Sequence, residues 1–435
     1  MPFLWVQGRA EVDEVELAKR LCPYGTTVTK TGTLYHTPLA RFTKPTTLET
    51  SFARSACSAH GRVDLLPAAT RFTTDALGTL PLWQINGPGF IAISPEVKAF
   101  AAIAGFQPRL KPPASLTAPG ERSLTYSPYE NVERLSPGAT LSIDHAGVLH
   151  EEKPSIWPEL LATTGTSTDT RELGDALEHS LDGAEATLGA FISGGIDSSI
   201  ASALLGRKFP VKLSTWSLGT RVGNEFAQAA DLARALGSDH RELQLRDDEI
   251  LELWNDVIKA NEISDGMTAE IVLQLAALVR HAGTGVVTGY GADLLFGGML
   301  RHDAYMQAVG VSSTAALIAR TIWTGELSPF YAWRYGVAVH PVFWSPAVIR
   351  AALRLDPAIH FDGTHEKVPL RQLAVSRGWL TETLAFRAKV GMTIGTAAYQ
   401  LVAEQLGLGN VMDYAGRSRL AIARLLLELE QHAPG

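Results

Sequence analysis

The chain has 435 residues, 46% of them hydrophobic and 19% charged, with a formal net charge of -7. That length exceeds what one core normally supports, so two domains are expected, and the composition is that of a globular protein. The charge is mild and forms no long run of one sign, which argues against nucleic acid or an anionic membrane as the main partner, and no apolar stretch reaches the about eighteen residues of a membrane span.

Up to about residue 160, short apolar runs alternate with Gly/Pro turns. LPLWQINGPGFIAIS (80–94) and GATLSIDHAGVLHEE (138–152) read as hairpins, so this part is expected to be rich in antiparallel sheet. LLATTGTSTDTRELGD (160–175) reads as an exposed connection. It places a boundary between domains spanning 1–165 and 166–435. Beyond it, strand and helix alternate. A strand is expected near 187–192, a helix from Asp197, a strand at 211–218 and a helix at 224–237 closed by Gly237. A strand at 240–245, two helical stretches and a strand at 285–289 follow. That order predicts a parallel sheet covered on both faces, with ligands at the carboxyl ends of its strands. From about 300 the chain reads as mostly helical.

The segment FISGGIDSSI (191–200) runs from an apolar strand into two glycines, three serines and a carboxylate. Gly194 and Gly195 let main-chain N–H groups converge on an anion, and the following helix start adds positive potential. No Gly-Lys-Ser/Thr follows, so this is not a Walker A loop. Asp293, in TGYGADLLFGGM (288–299), is expected to supply a second carboxylate across the sheet from Asp197, the usual provision for magnesium near a triphosphate. Cys22 and Cys57 have no metal-type spacing and read as small apolar residues. His240, His281 and His340 are isolated and read as structural or surface residues.

Ser-Gly-Gly-Xaa-Asp-Ser after a strand resembles the PP-loop of ATP pyrophosphatases. Together with TGYGADLLFGGM and the amino-terminal stretches LPLWQINGPGFIAISPEVKAF and ENVERLSPGATLSI, it resembles the asparagine synthetase (class B) family. The resemblance implies an α/β chain with an amino-terminal Ntn-hydrolase-like glutaminase-type α+β sandwich and a carboxyl-terminal PP-loop domain with a parallel sheet and a helical extension. It implies ATP and Mg2+ as cofactors, with Ile192, Ser193, Gly194, Gly195, Asp197, Ser198, Ser199, Leu218, Gly289 and Lys367 at the nucleotide and Asp197 and Asp293 on the metal. The glutaminase domain of that family carries a nucleophilic cysteine at position 2, where this sequence has Pro2. The expectation is a scaffold half and a substrate that brings its own amine.

NEISDGMTAEI (261–271), RTIWTGELSPF (320–330) and RAKVGMTIGTAAYQ (387–400) narrow the resemblance to the β-lactam synthetases, the branch that includes carbapenam synthetase. By that resemblance Tyr290 paired with Glu326 is the base and Lys389 stabilises the oxyanion. The late loop reads Met392-Thr393-Ile394-Gly395 in place of the usual His-Glu-Gly-Ser, which leaves the substrate open. Glu262, Asp265 and Glu270 are expected on one helix facing the pocket, with their role undecided between substrate and structure. The expected partner is a small amino-acid-type molecule, the expected location cytoplasmic, and a homo-oligomer stays open. The competing functions are a lasso-peptide macrolactam cyclase, an ammonia-dependent amide synthetase and a non-catalytic nucleotide-binding relative.

Overall fold

The structure is a computed structural model that describes residues 3–21, 28–31, 33–36, 41–44, 46–49, 55–56, 58–186, 188–297, 303–387 and 395–430. The strands of the amino-terminal part are β1 (Phe3–Gly8), β2 (Thr29–Thr31), β3 (Leu34–His36), β4 (Arg41–Lys44), β5 (Thr47–Glu49), β6 (Arg62–Leu65), β7 (Ala69–Thr73), β8 (Trp83–Gly87) and β9 (Phe90–Ser94). They continue with β10 (Arg109–Leu110), β11 (Tyr129–Glu130), β12 (Glu133–Arg134), β13 (Thr140–Asp144) and β14 (Leu149–Lys153). They build two antiparallel sheets in the orders β12-β8-β9-β1-β3-β2 and β14-β13-β7-β6-β5-β4, with β10 and β11 paired separately. Both hairpins expected from the turns, β8–β9 and β13–β14, are present.

Strand periodicity explains how these sheets pack. Phe3 and Trp5 of β1 and Ile91 and Ile93 of β9 point into a core shared with Leu48, Val63, Phe72, Leu141 and Ile143 of the other sheet, where Trp5 meets Phe72 edge to face at 5.2 Å. The alternate residues Leu4, Val6 and Ala92 face the other way. There they join a core with Trp254, Val257 and Leu273 from the helices Asp247–Asn261 and Gly266–Val279. A strand buried on both faces thus welds the two parts of the chain together.

The remaining strands are β15 (Leu188–Phe191), β16 (Ser214–Gly219), β17 (Asp239–Gln244), β18 (Gly285–Thr288) and β19 (Ala338–Pro341). They form one parallel sheet, order β17-β16-β15-β18-β19. Leu188, Ala190 and Val287 face a core with the helix Ile196–Lys208, while Phe191, Trp216 and Val286 face the core shared with β1. Both faces are covered, as a parallel sheet requires. Gly237 closes the helix Phe226–Leu236 in the left-handed conformation, as expected.

The described region after 300 is mostly helical, as expected, and one strand in it, β19, adds a fifth strand to the parallel sheet. Its four residues include His340 and Pro341, so no continuous apolar run marks it, and Pro341 sits at its end on the sheet edge, where a missing donor is tolerated. The stretch 160–175 is not all connection. Arg171 begins a helix to His179 that buries Leu173 and Leu177, and the Thr166 and Ser167 N–H groups bond to the Arg354 carbonyl at 3.1 and 3.0 Å.

Candidate functional site

β15 ends at Phe191 and the helix Ile196–Lys208 begins five residues later. The turn between them needs Gly194 at φ +76°, where a Cβ would lie 2.6 Å from the Gln228 main chain. Serine hydroxyls shape the loop: Ser198 Oγ accepts from the Ser193 N–H at 3.1 Å and donates to the Gly195 carbonyl at 3.2 Å. Ser199 Oγ, buried, donates to the same carbonyl at 2.8 Å. The helix ladder starts with the Ser199 N–H on Gly195 O at 3.0 Å, so the first-turn N–H groups before it have no intrahelical acceptor. Helix N-terminal geometry of this kind suits an anion. Ile192 and Leu218 bury their side chains in cores and can meet a ligand only through the main chain.

β18 ends beside this loop. A Cβ on Gly289 would sit 2.5 Å from Asp197 C and from Ser198 N, so only glycine allows the approach. Tyr290 follows directly, half-buried and packed edge to face on Trp344 at 6.3 Å. Gly291 then takes φ +100° and turns the chain into the short helix Ala292–Leu295 that carries Asp293. One turn therefore delivers a phenol and a carboxylate to the carboxyl end of the sheet.

The Tyr290 hydroxyl donates to Glu326 Oε1. Glu326 follows Gly325, the left-handed cap of the helix Thr314–Thr324, and is buried. It is not a solvated helix-end residue. Its other oxygen faces Arg320 Nη1 at 3.5 Å, and Arg320 Nη2 donates to Asp265 Oδ1 at 2.7 Å. Burial raises the Glu326 pKa, against the opposing pull of Arg320 and Tyr290. Sequence reasoning missed Arg320, because a single arginine within an apolar helix carries no motif.

Lys367 comes to the same place from the loop before the helix Val368–Ser376. Its ammonium, buried, donates to both oxygens of Asp197 at 2.8 and 2.6 Å and to Asp293 Oδ1. Two carboxylates converging on one cation suit magnesium, which takes one or two carboxylates and completes its shell with water and phosphate oxygens. No cluster of three or more His, Cys, Asp or Glu suited to a metal occurs among the described residues, so no all-protein cage is found there. Arg371, also missed by the sequence, bonds the carbonyls of Glu366, Ala385 and Arg387 at 2.8, 2.5 and 3.1 Å. It fixes the chain entering the late loop. Lys389 and Met392–Ile394 lie outside the described residues, as do Pro2, Cys22 and Cys57.

The three acidic residues of 261–271 do not share one helix face. Glu262 caps the helix Asp247–Asn261 at φ +53° and accepts the N–H groups of Val97 and Lys98, both at 2.8 Å. Asp265 caps the helix Gly266–Val279 through the Thr268 N–H and holds Arg320. Glu270 lies within that helix and pairs with Arg417. Only Asp265 reaches the Tyr290–Glu326 network, through Arg320.

Residues 170–327 match the asparagine synthase family. The carboxyethyl-arginine β-lactam-synthase of Streptomyces clavuligerus is 28% identical over 366 residues, covering 82% of this chain and 68% of that protein. Asparagine synthetase B of Escherichia coli K12 is 25% identical over 258 residues, 54% of this chain, and a nodule asparagine synthetase of Pisum sativum is 25% identical over 205 residues, 42% of this chain. The chain covers 46% and 35% of those two proteins, less than half of each. Residues 170–327 are thus similar to the asparagine synthase family, and of these three relatives the β-lactam-synthase shares similarity with the largest part of the chain.

Proposed function

We propose that the protein is an ATP-dependent, AMP-forming ligase. It activates a carboxylate of a small amino-acid-type substrate as an adenylate and closes a β-lactam, or a similarly small lactam, with that substrate's own amine. The observation that carries this reading is the pair of half-buried Tyr290 and buried Glu326, held one residue beyond the Gly289–Asp197 contact. The similarity to a β-lactam synthase supports it. The two antiparallel sheets before residue 165 support the further reading of that part as a glutaminase-type sandwich kept as a scaffold.

A carboxylate does not acylate an amine at neutral pH, so its oxygen must become a leaving group, and adenylation does this. The main-chain N–H groups opening the helix Ile196–Lys208 cradle the departing pyrophosphate, and Lys367 adds positive charge beside them. Magnesium, when bound on Asp197 and Asp293, offsets phosphate charge. Ring closure then needs a free amine. Tyr290 takes the substrate's ammonium proton on its phenolic oxygen while its own hydroxyl proton passes to Glu326 Oε1, and the amine so freed attacks the adenylate, with Glu326 orienting the phenol and taking up the charge shift. Lys389 is the residue proposed to stabilise the tetrahedral oxyanion. Holding both reacting ends on one molecule replaces a bimolecular encounter with ring closure.

Two variants separate these steps. Asp197→Ala should abolish substrate-dependent pyrophosphate release. Tyr290→Phe should keep adenylate formation, read by ATP–pyrophosphate exchange, while lowering lactam formation by about 10²–10⁴-fold. Undiminished ring closure in Tyr290→Phe would remove the proposed base.

A further inference from the structure

Lys367 stands where a metal ion would stand. Its Nζ lies 2.6 and 2.8 Å from the two oxygens of Asp197 and contacts Asp293 Oδ1, so it occupies the point on which both carboxylates converge. A divalent cation bridging these residues needs the same oxygens at about 2.0–2.1 Å, and an ammonium held between them leaves no room for it. Charge leads to the same conclusion. Two carboxylates and one ammonium sum to one negative charge. Adding a divalent ion with the lysine in place would leave a positive excess beside the N-terminus of the helix Ile196–Lys208, whose dipole opposes a further cation. Phosphates brought by a nucleotide reverse that balance, because they supply the anion that the ammonium would otherwise lack.

The main chain at Lys367 is already committed. It sits at φ +57° and ψ 36°, and its carbonyl accepts the N–H groups of Leu370 and Arg371 at 3.0 and 3.2 Å, opening the helix Val368–Ser376. What can move is the four-carbon stem, which carries a point charge with freely rotating donors. Swinging that stem transfers the ammonium from the carboxylates to a neighbouring phosphate without refolding the loop.

We propose that Lys367 closes the Asp197–Asp293 site to divalent cations until nucleotide phosphate draws its ammonium away, so that metal enters only together with the nucleotide. The proposal rests on the reading of Asp197 and Asp293 as the metal carboxylates. It makes Lys367 a residue that sets the order of binding as well as a phosphate contact.

The test is a titration of the full chain with Mn2+, followed by electron paramagnetic resonance of the free ion, with and without an ATP analogue carrying a methylene between the α and β phosphates. The wild type should bind Mn2+ at least tenfold more weakly without the analogue than with it. Lys367→Met, which leaves the two carboxylates uncompensated, should bind Mn2+ without the analogue at least tenfold more tightly than the wild type does. Lys367→Arg, which keeps a cation there, should stay closed. Equal Mn2+ affinity of the wild type with and without analogue would overturn the proposal, and that comparison does not depend on any variant folding. If the wild type binds no Mn2+ even with the analogue, or if Asp197→Ala and Asp293→Ala bind it undiminished, the metal reading of these carboxylates fails and the proposal fails with it.

Discussion

Glu326 has to be ionised to orient a proton-accepting phenol, yet it is buried, and burial raises its pKa. Arg320 is the group that pulls in the other direction, and it does so while holding Asp265 as well. Removing it leaves two buried carboxylates without their cation. Arg320→Met should therefore destabilise the fold by about 3–5 kcal/mol, measured by urea unfolding. In the fraction that folds, the acid limb of the ring-closure rate should move to higher pH, because the carboxylate loses the charge that favours its ionised form. An unshifted limb would mean that Arg320 only supports the helix. Asp197 and Asp293 could be singled out in the sequence because they lie in glycine-bearing turns of recognisable pattern, and Tyr290 and Glu326 only through the family resemblance. Arg320 and Arg371 could not, since their partners are carboxylates and carbonyls brought in by tertiary folding, and no local spacing records that.

The turns after β15 and β18 have to approach more closely than side chains allow, which gives Gly289 its importance. Gly289→Ala would push a Cβ into the main chain of Asp197 and Ser198, at a cost of about 1–3 kcal/mol, and should weaken binding of the ATP analogue at least tenfold by calorimetry while the thermal transition stays cooperative. The edge strand β19 makes a different prediction. His340 on this strand is fully buried, bonded through Nδ1 to Ser55 Oγ at 2.7 Å, and burial lowers its pKa from 6.5 to about 4. The unfolded chain takes up this proton near pH 6.5 while the folded one resists until about pH 4. The stability it contributes is thus present above pH 6.5 and lost as pH falls through that window, on the order of 3 kcal/mol. His340→Asn, which does not titrate, should flatten the unfolding free energy between pH 6.5 and 4; an unchanged slope would show that other groups set it. Helices and central strands were legible from their apolar runs, caps and glycine turns, whereas β19, whose four residues include His340 and Pro341, was not.

At the scale of the molecule, the halves on either side of residue 165 share a core and a set of buried polar links. Glu262 accepts two main-chain N–H groups some 165 residues away in sequence, Arg134 Nη1 donates to the Ile322 carbonyl at 2.8 Å, and Trp344 Nε1 donates to the Leu77 carbonyl at 3.0 Å. Ile322 and Trp344 border the elements that carry Glu326 and back Tyr290, so the amino-terminal part packs behind the proposed catalytic pair. Two domains were expected from length, but nothing in the sequence could show that Glu262 is a clamp between them, since its partners are main-chain amides. No helix among the described residues is long and apolar enough to cross a membrane.

The central claim is that one molecule supplies both the activated carboxylate and the amine. The most direct test incubates the protein with ATP, Mg2+ and a panel of β-amino acids carrying a free carboxylate, without ammonia or glutamine, and follows nucleotide and product by mass spectrometry. The account predicts AMP, pyrophosphate and a product lighter than its amino acid by one water, in equal amounts. Formation of ADP, or AMP release accompanied only by unchanged amino acid, or a product that appears only when ammonia is added, would contradict it.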